Sequence, residues 1–255
     1  MAQNGRLVLD VHTRLFDQHD TGVLNAHFTE DFIEHSPLVA NDREGLRRLV
    51  LECGEGLTYE NVRVIEDGDF VALHGKFKGL EEQDLVGFDI YRVVDGKLAE
   101  HWDNLVPAAA PNVSGRTQLD GPTRPDLDAD TEKNRTLVVE FFQKTLIGGD
   151  YSGFEEYGRD RQFAMHSPDI GDGVPAVIDF LTALRDSGEG LVYDRIHRTV
   201  AQGDFVLTHS EGSVAGVRHS YCELWRVEDG AVVELWDAIS EVPLDEDAVH
   251  DHGVF

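Results

Sequence analysis

Two stretches of this chain end on the same acid. DIYRVVDGKLAEHWD at 89–103 and ELWRVEDGAVVELWD at 223–237 each carry a carboxyl at both ends, Asp89 with Asp103 and Glu223 with Asp237. Histidines keep step with them: His35 and His166 each precede Ser-Pro, and His74 and His209 close GDFVALH and GDFVLTH. His101 has no histidine counterpart, because Leu235 replaces it. Carboxyl and imidazole groups are the side chains that exchange protons near neutral pH. Abstracting a proton alpha to a carbonyl takes a base strengthened by dry surroundings and a positioned donor for the enolate oxygen, and these residue types supply both. The candidate acid–base residues are therefore Asp103, Asp89, His35, His74, His101, Asp237, Glu223, His166 and His209, with Tyr91 and Trp225 as candidate substrate contacts. Each also has a structural reading. Asp103 and Asp237 can cap a turn, Asp89 and Glu223 can pair with Arg92 or Arg226, the histidines can satisfy backbone carbonyls, and the tryptophans can serve as packing.

Which of these side chains meet depends on one hairpin. A two-residue Asp95-Gly96 loop would set Val94 opposite Lys97 and send Asp89 and Asp103 to opposite faces. A three-residue loop, Val94-Asp95-Gly96, with Gly96 in the left-handed conformation of a bulged turn, sets Val93 opposite Lys97. Asp89, Tyr91, His101 and Asp103 then share a face, and the same count groups Glu223, Trp225, Leu235 and Asp237. The bulged turn is the expected one, since it gives each copy a pair of carboxyls among apolar neighbours that raise a carboxyl pKa by desolvation. His35, His74, Asp89 and His101 are also the donor types of a zinc or ferrous site, but no HExxH or CxxC spacing accompanies them. The expectation is no metal and no cofactor.

The elements that must position these groups occur twice. IEHSP at 33–37 matches AMHSP at 164–168, and the later blocks follow in the same order at nearly constant spacing, which marks a duplicated domain. Both copies open on an amphipathic helix, with Leu7, Val8, Val11, Leu15 and Phe16 answered by Leu137, Val138, Phe141, Phe142 and Leu146. Short helices fit 22–28 and 151–158, and third helices fit 43–53 and 174–186. Strand-like runs follow: YENVRVIEDG, DFVALHGKF, GFDIYRVVDG and KLAEHWDN, with counterparts in the second copy. Helices early and an antiparallel sheet late make an α+β unit. The domains read as 1–106 and 131–243. A connector at 107–130 holds four of the eight prolines, and an acidic tail at 244–255, carrying His250 and His252, reads as a solvated end.

Acids outnumber bases 49 to 22 for a formal charge of −27, which repels nucleic acid and anionic membrane surfaces. Only five basic residues are lysines, and a surface rich in acids and poor in lysine suits a salt-rich cytoplasm; a halophilic source is the hypothesis. No apolar run approaches the ~20 residues of a bilayer crossing, and the first residues lack the form of a secretory signal, so a cytoplasmic location is expected. Cys53 and Cys222 fall at non-equivalent positions and read as free thiols.

DIYRVVDGKLAEHWD preceded by IEHSPLVANDREGL resembles the SnoaL-like polyketide cyclase branch of the NTF2-like superfamily, and ELWRVEDGAVVELWD with AMHSP resembles a second member. The resemblance spans about 1–106 and 131–243. It implies two cone-shaped α+β barrel domains in tandem, packed as a pseudo-dimer through their curved antiparallel sheets. In the polyketide cyclases the acid matching Asp103 serves an intramolecular aldol ring closure without metal or cofactor, and Asp237 matches it in the second copy. The position of Asp89 and Glu223 is histidine in those cyclases. The implied function is a cofactor-independent enzyme acting on a small apolar carbonyl compound by aldol cyclisation, isomerisation or dehydration. The alternatives are a ligand-binding protein without catalysis and a His/Asp metal-dependent variant.

Overall fold

The computed structural model describes residues 3–40, 42–158 and 163–255. The spacing of Val8, Val11, Leu15 and Phe16 aligns them along one side of α1 (Gln3–Phe16), and all four are buried. α2 (Val23–His27), β1 (Phe28–Glu34) and α3 (Asp42–Cys53) follow, then four consecutive strands, β2 (Thr58–Asp67), β3 (Phe70–Lys78), β4 (Leu85–Val94) and β5 (Lys97–Pro107). The second copy repeats this order. α4 (Thr131–Phe142), capped by the Asp130 side chain and prolonged by a π turn at Gln143–Ile147, precedes α5 (Gly153–Tyr157), β6 (Ala164–Met165) and α6 (Val174–Ser187). β7 (Leu191–Gln202), β8 (Phe205–Val214), β9 (Val217–Glu228) and β10 (Ala231–Glu241) complete it.

The two sheets have the same order, β1-β5-β4-β3-β2 and β6-β10-β9-β8-β7. Each is mixed instead of purely antiparallel, because β1 and β6 run parallel to β5 and β10. The sequence reading lacked β1: FTEDFIE carries three acids, and its buried positions Phe28, Phe32 and Glu34 do not form an apolar run. The chain divides into unit 1, Met1–Ala108 with Val242–Phe255, and unit 2, Ala109–Glu241. The acidic tail therefore packs with unit 1 instead of standing free in solvent, and most of the Pro-rich connector packs with unit 2. No described helix is long and apolar enough to cross a membrane.

The hairpin between β4 and β5 corrects one expectation and preserves its consequence. Asp95 and Gly96, with φ of 50° and 74°, form a two-residue turn that pairs Val94 with Lys97, so the three-residue loop bulged at Gly96 is absent. The extra residue is Ala99, bulged between the pairs Val93–Leu98 and Arg92–Glu100. One inserted residue restores side-chain parity wherever it sits, so Asp89 faces Asp103 and Tyr91 faces His101. In unit 2 the Asp229-Gly230 turn and a bulge at Val233 set Glu223 opposite Asp237 and Trp225 opposite Leu235.

Alternation along the strands then sorts side chains between two faces. In unit 1, Val71, Leu73, Phe77, Tyr91 and Val93 join Val8, Val11, Leu15 and Phe16 in one buried cluster, so the face bearing Asp89 is the one packed by helices. In unit 2, Val206, Tyr221, Trp225 and Leu235 cluster with Val138, Phe141 and Phe142. Burying one such side chain contributes ~1.5–3 kcal/mol.

Candidate functional site

On the helix-packed face of unit 1, charged side chains form a line through an apolar interior. β1 places Glu34, whose Oε1 accepts from His101 Nδ1 of β5 at 2.8 Å. His101 Nε2 reaches Asp89 Oδ1 of β4 at 3.2 Å, and His12 Nε2 of α1 approaches the same oxygen to 3.4 Å. All four residues are buried. Glu34 Oε1 also accepts from the Ser36 amide at 2.9 Å, and the Ser36 hydroxyl donates to Asp103 Oδ2 at 2.6 Å. The line therefore runs from His12 through Asp89, His101, Glu34 and Ser36 to Asp103. Tyr91 stacks on His101 at 4.4 Å between ring centroids, and Phe16, Tyr59 and Phe77 surround His12.

These neighbours drive the two facing acids apart. Burial works to raise Asp89, but the imidazoles of His12 and His101 outweigh it and hold the carboxyl down to about 2. His101, despite its burial, is pushed well above the usual histidine range by Glu34 and Asp89, whereas burial lowers His12 against the pull of Asp89. Asp103 goes the other way. Burial, reinforced by the negative charges of Glu34 and Asp89, lifts it to about 7, against the lowering effects of His101 and of the Ser36 hydrogen bond. Near neutral pH one acid is a fixed anion and the other is divided between its two protonation states. Such a divergence assigns distinct acid and base roles within a pair. Among the described residues, the buried atoms His12 Nδ1, Glu34 Oε2, Asp89 Oδ2 and Tyr59 Oη have no hydrogen-bond partner. Buried polar groups are rarely left so unless a ligand or water meets them.

Unit 2 keeps the acids and loses the imidazoles. Leu235 pairs with Met165 where His101 pairs with Glu34, and Phe142 lies against Tyr193 as His12 lies against Tyr59. Glu223 Oε1 accepts from the Tyr193 hydroxyl at 3.0 Å. Burial and the facing Asp237 lift Glu223 to about 8, and burial lifts Asp237 to about 6 in spite of a hydrogen bond from Ser167. Trp225 is fully buried, with its indole N–H on Thr208 Oγ1 at 3.1 Å and its ring edge-on to Phe141.

Four expected histidines lie elsewhere. His74 pairs with Phe88, one position out of phase with Asp89, and so projects from the opposite face, where it accepts from Arg63 Nη1 at 3.0 Å and stacks on Phe88. His209 is its counterpart, bonded to Arg198 and to Ser220 Oγ. His35 stacks on Trp102, another opposite-face residue, and donates to the Gly253 carbonyl at 2.9 Å. His166 stacks on Trp236, its ring nitrogens 2.8 Å from Thr117 O and 2.9 Å from Glu234 Oε1. The set His35, His74, Asp89 and His101 is thus divided between faces, and among the described residues no three His, Cys, Asp or Glu side chains group as metal ligands.

His12, Glu34, Ser36 and Tyr59 are the site residues that sequence reasoning missed. The signal for His12 was its place on the apolar stripe of α1, one position after Val11, where only a partnered polar group is tolerated.

The family model described as SnoaL-like domain matches residues 10–101. No curated protein matches the chain. Similar solved structures include a putative ketosteroid isomerase from Kribbella flavida, 18% identical over 46% of this chain and 84% of that one, with a TM-score of 0.39. A putative polyketide cyclase from Bacillus cereus is 22% identical over 37% of this chain and 69% of its own, with a TM-score of 0.33. An epoxide hydrolase from M. tuberculosis is 22% identical over 43% of this chain and 84% of its own, with a TM-score of 0.35. Residues 10–101 are thus similar to a SnoaL-like domain, and unit 2 repeats the same sequence blocks and strand order.

Proposed function

We propose that unit 1 is a cofactor-independent acid–base catalyst acting on a small apolar carbonyl compound. The observation that supports it is the facing of Asp89 and Asp103 across β4 and β5, with oppositely biased protonation and unpartnered polar atoms beside them. In this reading the Asp103 carboxylate removes the proton alpha to the carbonyl. Asp89 stays ionised and keeps His101 cationic, so positive charge is already in place when the enolate forms. The Tyr59 hydroxyl, buried and unpartnered, is the donor available to the enolate oxygen. Asp103, now protonated, returns its proton to the product or to a departing hydroxyl. Ring closure, isomerisation and dehydration all share this first step.

For unit 2 a binding role without turnover is the better reading, because Leu235, Met165 and Phe142 stand where unit 1 has His101, Glu34 and His12. The test is mass spectrometry of small molecules that copurify with the protein, followed by turnover of the identified compound. Asp103→Asn abolishes turnover and retains the ligand if the proposal holds, and undiminished turnover by that variant rejects it.

A further inference from the structure

Each sheet is followed in the chain by an irregular segment, and each segment lies over a His-Ser-Pro turn. In unit 1 the segment is 242–255. His250 Nε2–H donates to the Ser36 carbonyl at 2.9 Å, the Gly253 carbonyl accepts from His35 Nδ1–H at 2.9 Å, and His252 Nε2 stands 3.4 Å from Asp42 Oδ1. In unit 2 the segment lies within 109–130. The Asn112 carboxamide donates toward the carbonyls of Met165, Ser167 and Ile170 at 2.7, 3.2 and 2.8 Å. Its own oxygen accepts from the amides of Ser114 and Arg116, which fixes the side chain in place. The serine of each turn is in both cases the hydroxyl partner of the acid on the last strand, Ser36 with Asp103 and Ser167 with Asp237. Two segments of unrelated sequence thus make the same contact in the two copies.

Ser36 shows what the contact achieves. Its amide is held by Glu34 Oε1, its hydroxyl oxygen accepts from the Leu38 amide at 3.2 Å, and its carbonyl is held by His250. With those groups engaged, the hydroxyl proton is left pointing at Asp103 Oδ2. We infer that His250 and Asn112 are positioning residues: His250 sets the Ser36 hydroxyl against Asp103, and Asn112 sets Ser167 against Asp237. The inference rests on the acid–base reading of Asp103 and extends it to residues outside the repeated blocks.

Three variants of the full chain, His250→Ala, His250→Gln and Asn112→Ala, test it, with amide exchange at Ser36 and Leu38 and a carboxyl NMR titration of Asp103 and Asp237 as readouts. His250→Ala speeds exchange at both amides by about fivefold or more, the effect of one lost hydrogen bond. It also moves the Asp103 midpoint upward, because the hydroxyl that favours the carboxylate is no longer aimed at it. His250→Gln, which keeps an N–H donor near the position of Nε2, restores both readouts. Asn112→Ala moves Asp237 and leaves Asp103 in place. Unchanged amides and an unchanged Asp103 midpoint in His250→Ala overturn the inference, as does a Gln variant that behaves like Ala. If Asp103 titrates in the ordinary carboxyl range in the parent chain, the acid–base reading fails, and the exchange of Ser36 and Leu38 still decides whether His250 holds the turn.

Discussion

Replacing Asp103 by Asn makes unit 1 more stable in alkaline solution and no more stable in acid. The carboxyl is lifted from 3.8 to about 7 by burial and neighbouring anions. A group whose pKa is raised on folding contributes nothing unfavourable below its unfolded value. It then costs stability progressively as pH rises from about 4 to about 7, where the folded state resists ionisation that the unfolded chain undergoes freely. Three pH units at ~1.36 kcal/mol each amount to about 4 kcal/mol at pH 8, and about half of that near pH 5.5. Asn is isosteric, cannot ionise, and still presents an oxygen to the Ser36 hydroxyl. The assay is urea unfolding of parent and variant at pH 4, 5.5 and 8, with the expected advantage of the variant growing from near zero to several kcal/mol. A variant equally stable or less stable at pH 8 would refute the claim that Asp103 is held protonated by its surroundings.

Other expectations follow from the same geometry. His101→Leu, which copies Leu235 into unit 1, leaves Glu34 and Asp89 buried without their shared cation and costs ~3–5 kcal/mol at neutral pH; a loss under 1 kcal/mol in chemical denaturation contradicts the ion line. Glu223→Gln removes a carboxyl raised from 4.5 to about 8, so its stabilisation appears at pH 9 and vanishes at pH 4, and equal effects at both pH values count against it. At a formal charge of −27 the melting temperature rises by several degrees between about 0.1 and 2 M KCl as self-repulsion is screened; a salt-independent midpoint removes the halophilic hypothesis.

The duplication was legible because whole blocks recur in the same order, and the strands because runs such as GFDIYRVVDG and KLAEHWDN are bounded by Asp-Gly turns; side-chain parity along them brought Asp89 and Asp103 together. The position of the bulge was not legible. A two-residue Asp-Gly turn with an extra residue at Ala99 and a three-residue turn bulged at Gly96 give identical parity beyond Arg92, so only coordinates separate them. The histidines misled for a related reason. His74 lies on a clean strand, but its neighbours in sequence do not say which face the helices cover, and His35 sits in an irregular turn with no periodicity at all. Glu34 was invisible because its meeting with His101 depends on a parallel strand that local composition disguised, and His12 because its approach to Asp89 depends on how α1 packs on the sheet.

A carbon-detected titration of the aspartate carboxyls, assigned with Asp89→Asn and Asp103→Asn, tests the divergence of the two facing acids without needing a substrate. One midpoint near 2 for Asp89 and one near 7 for Asp103 are expected. Two midpoints together in the ordinary range near 3.8 would contradict that divergence.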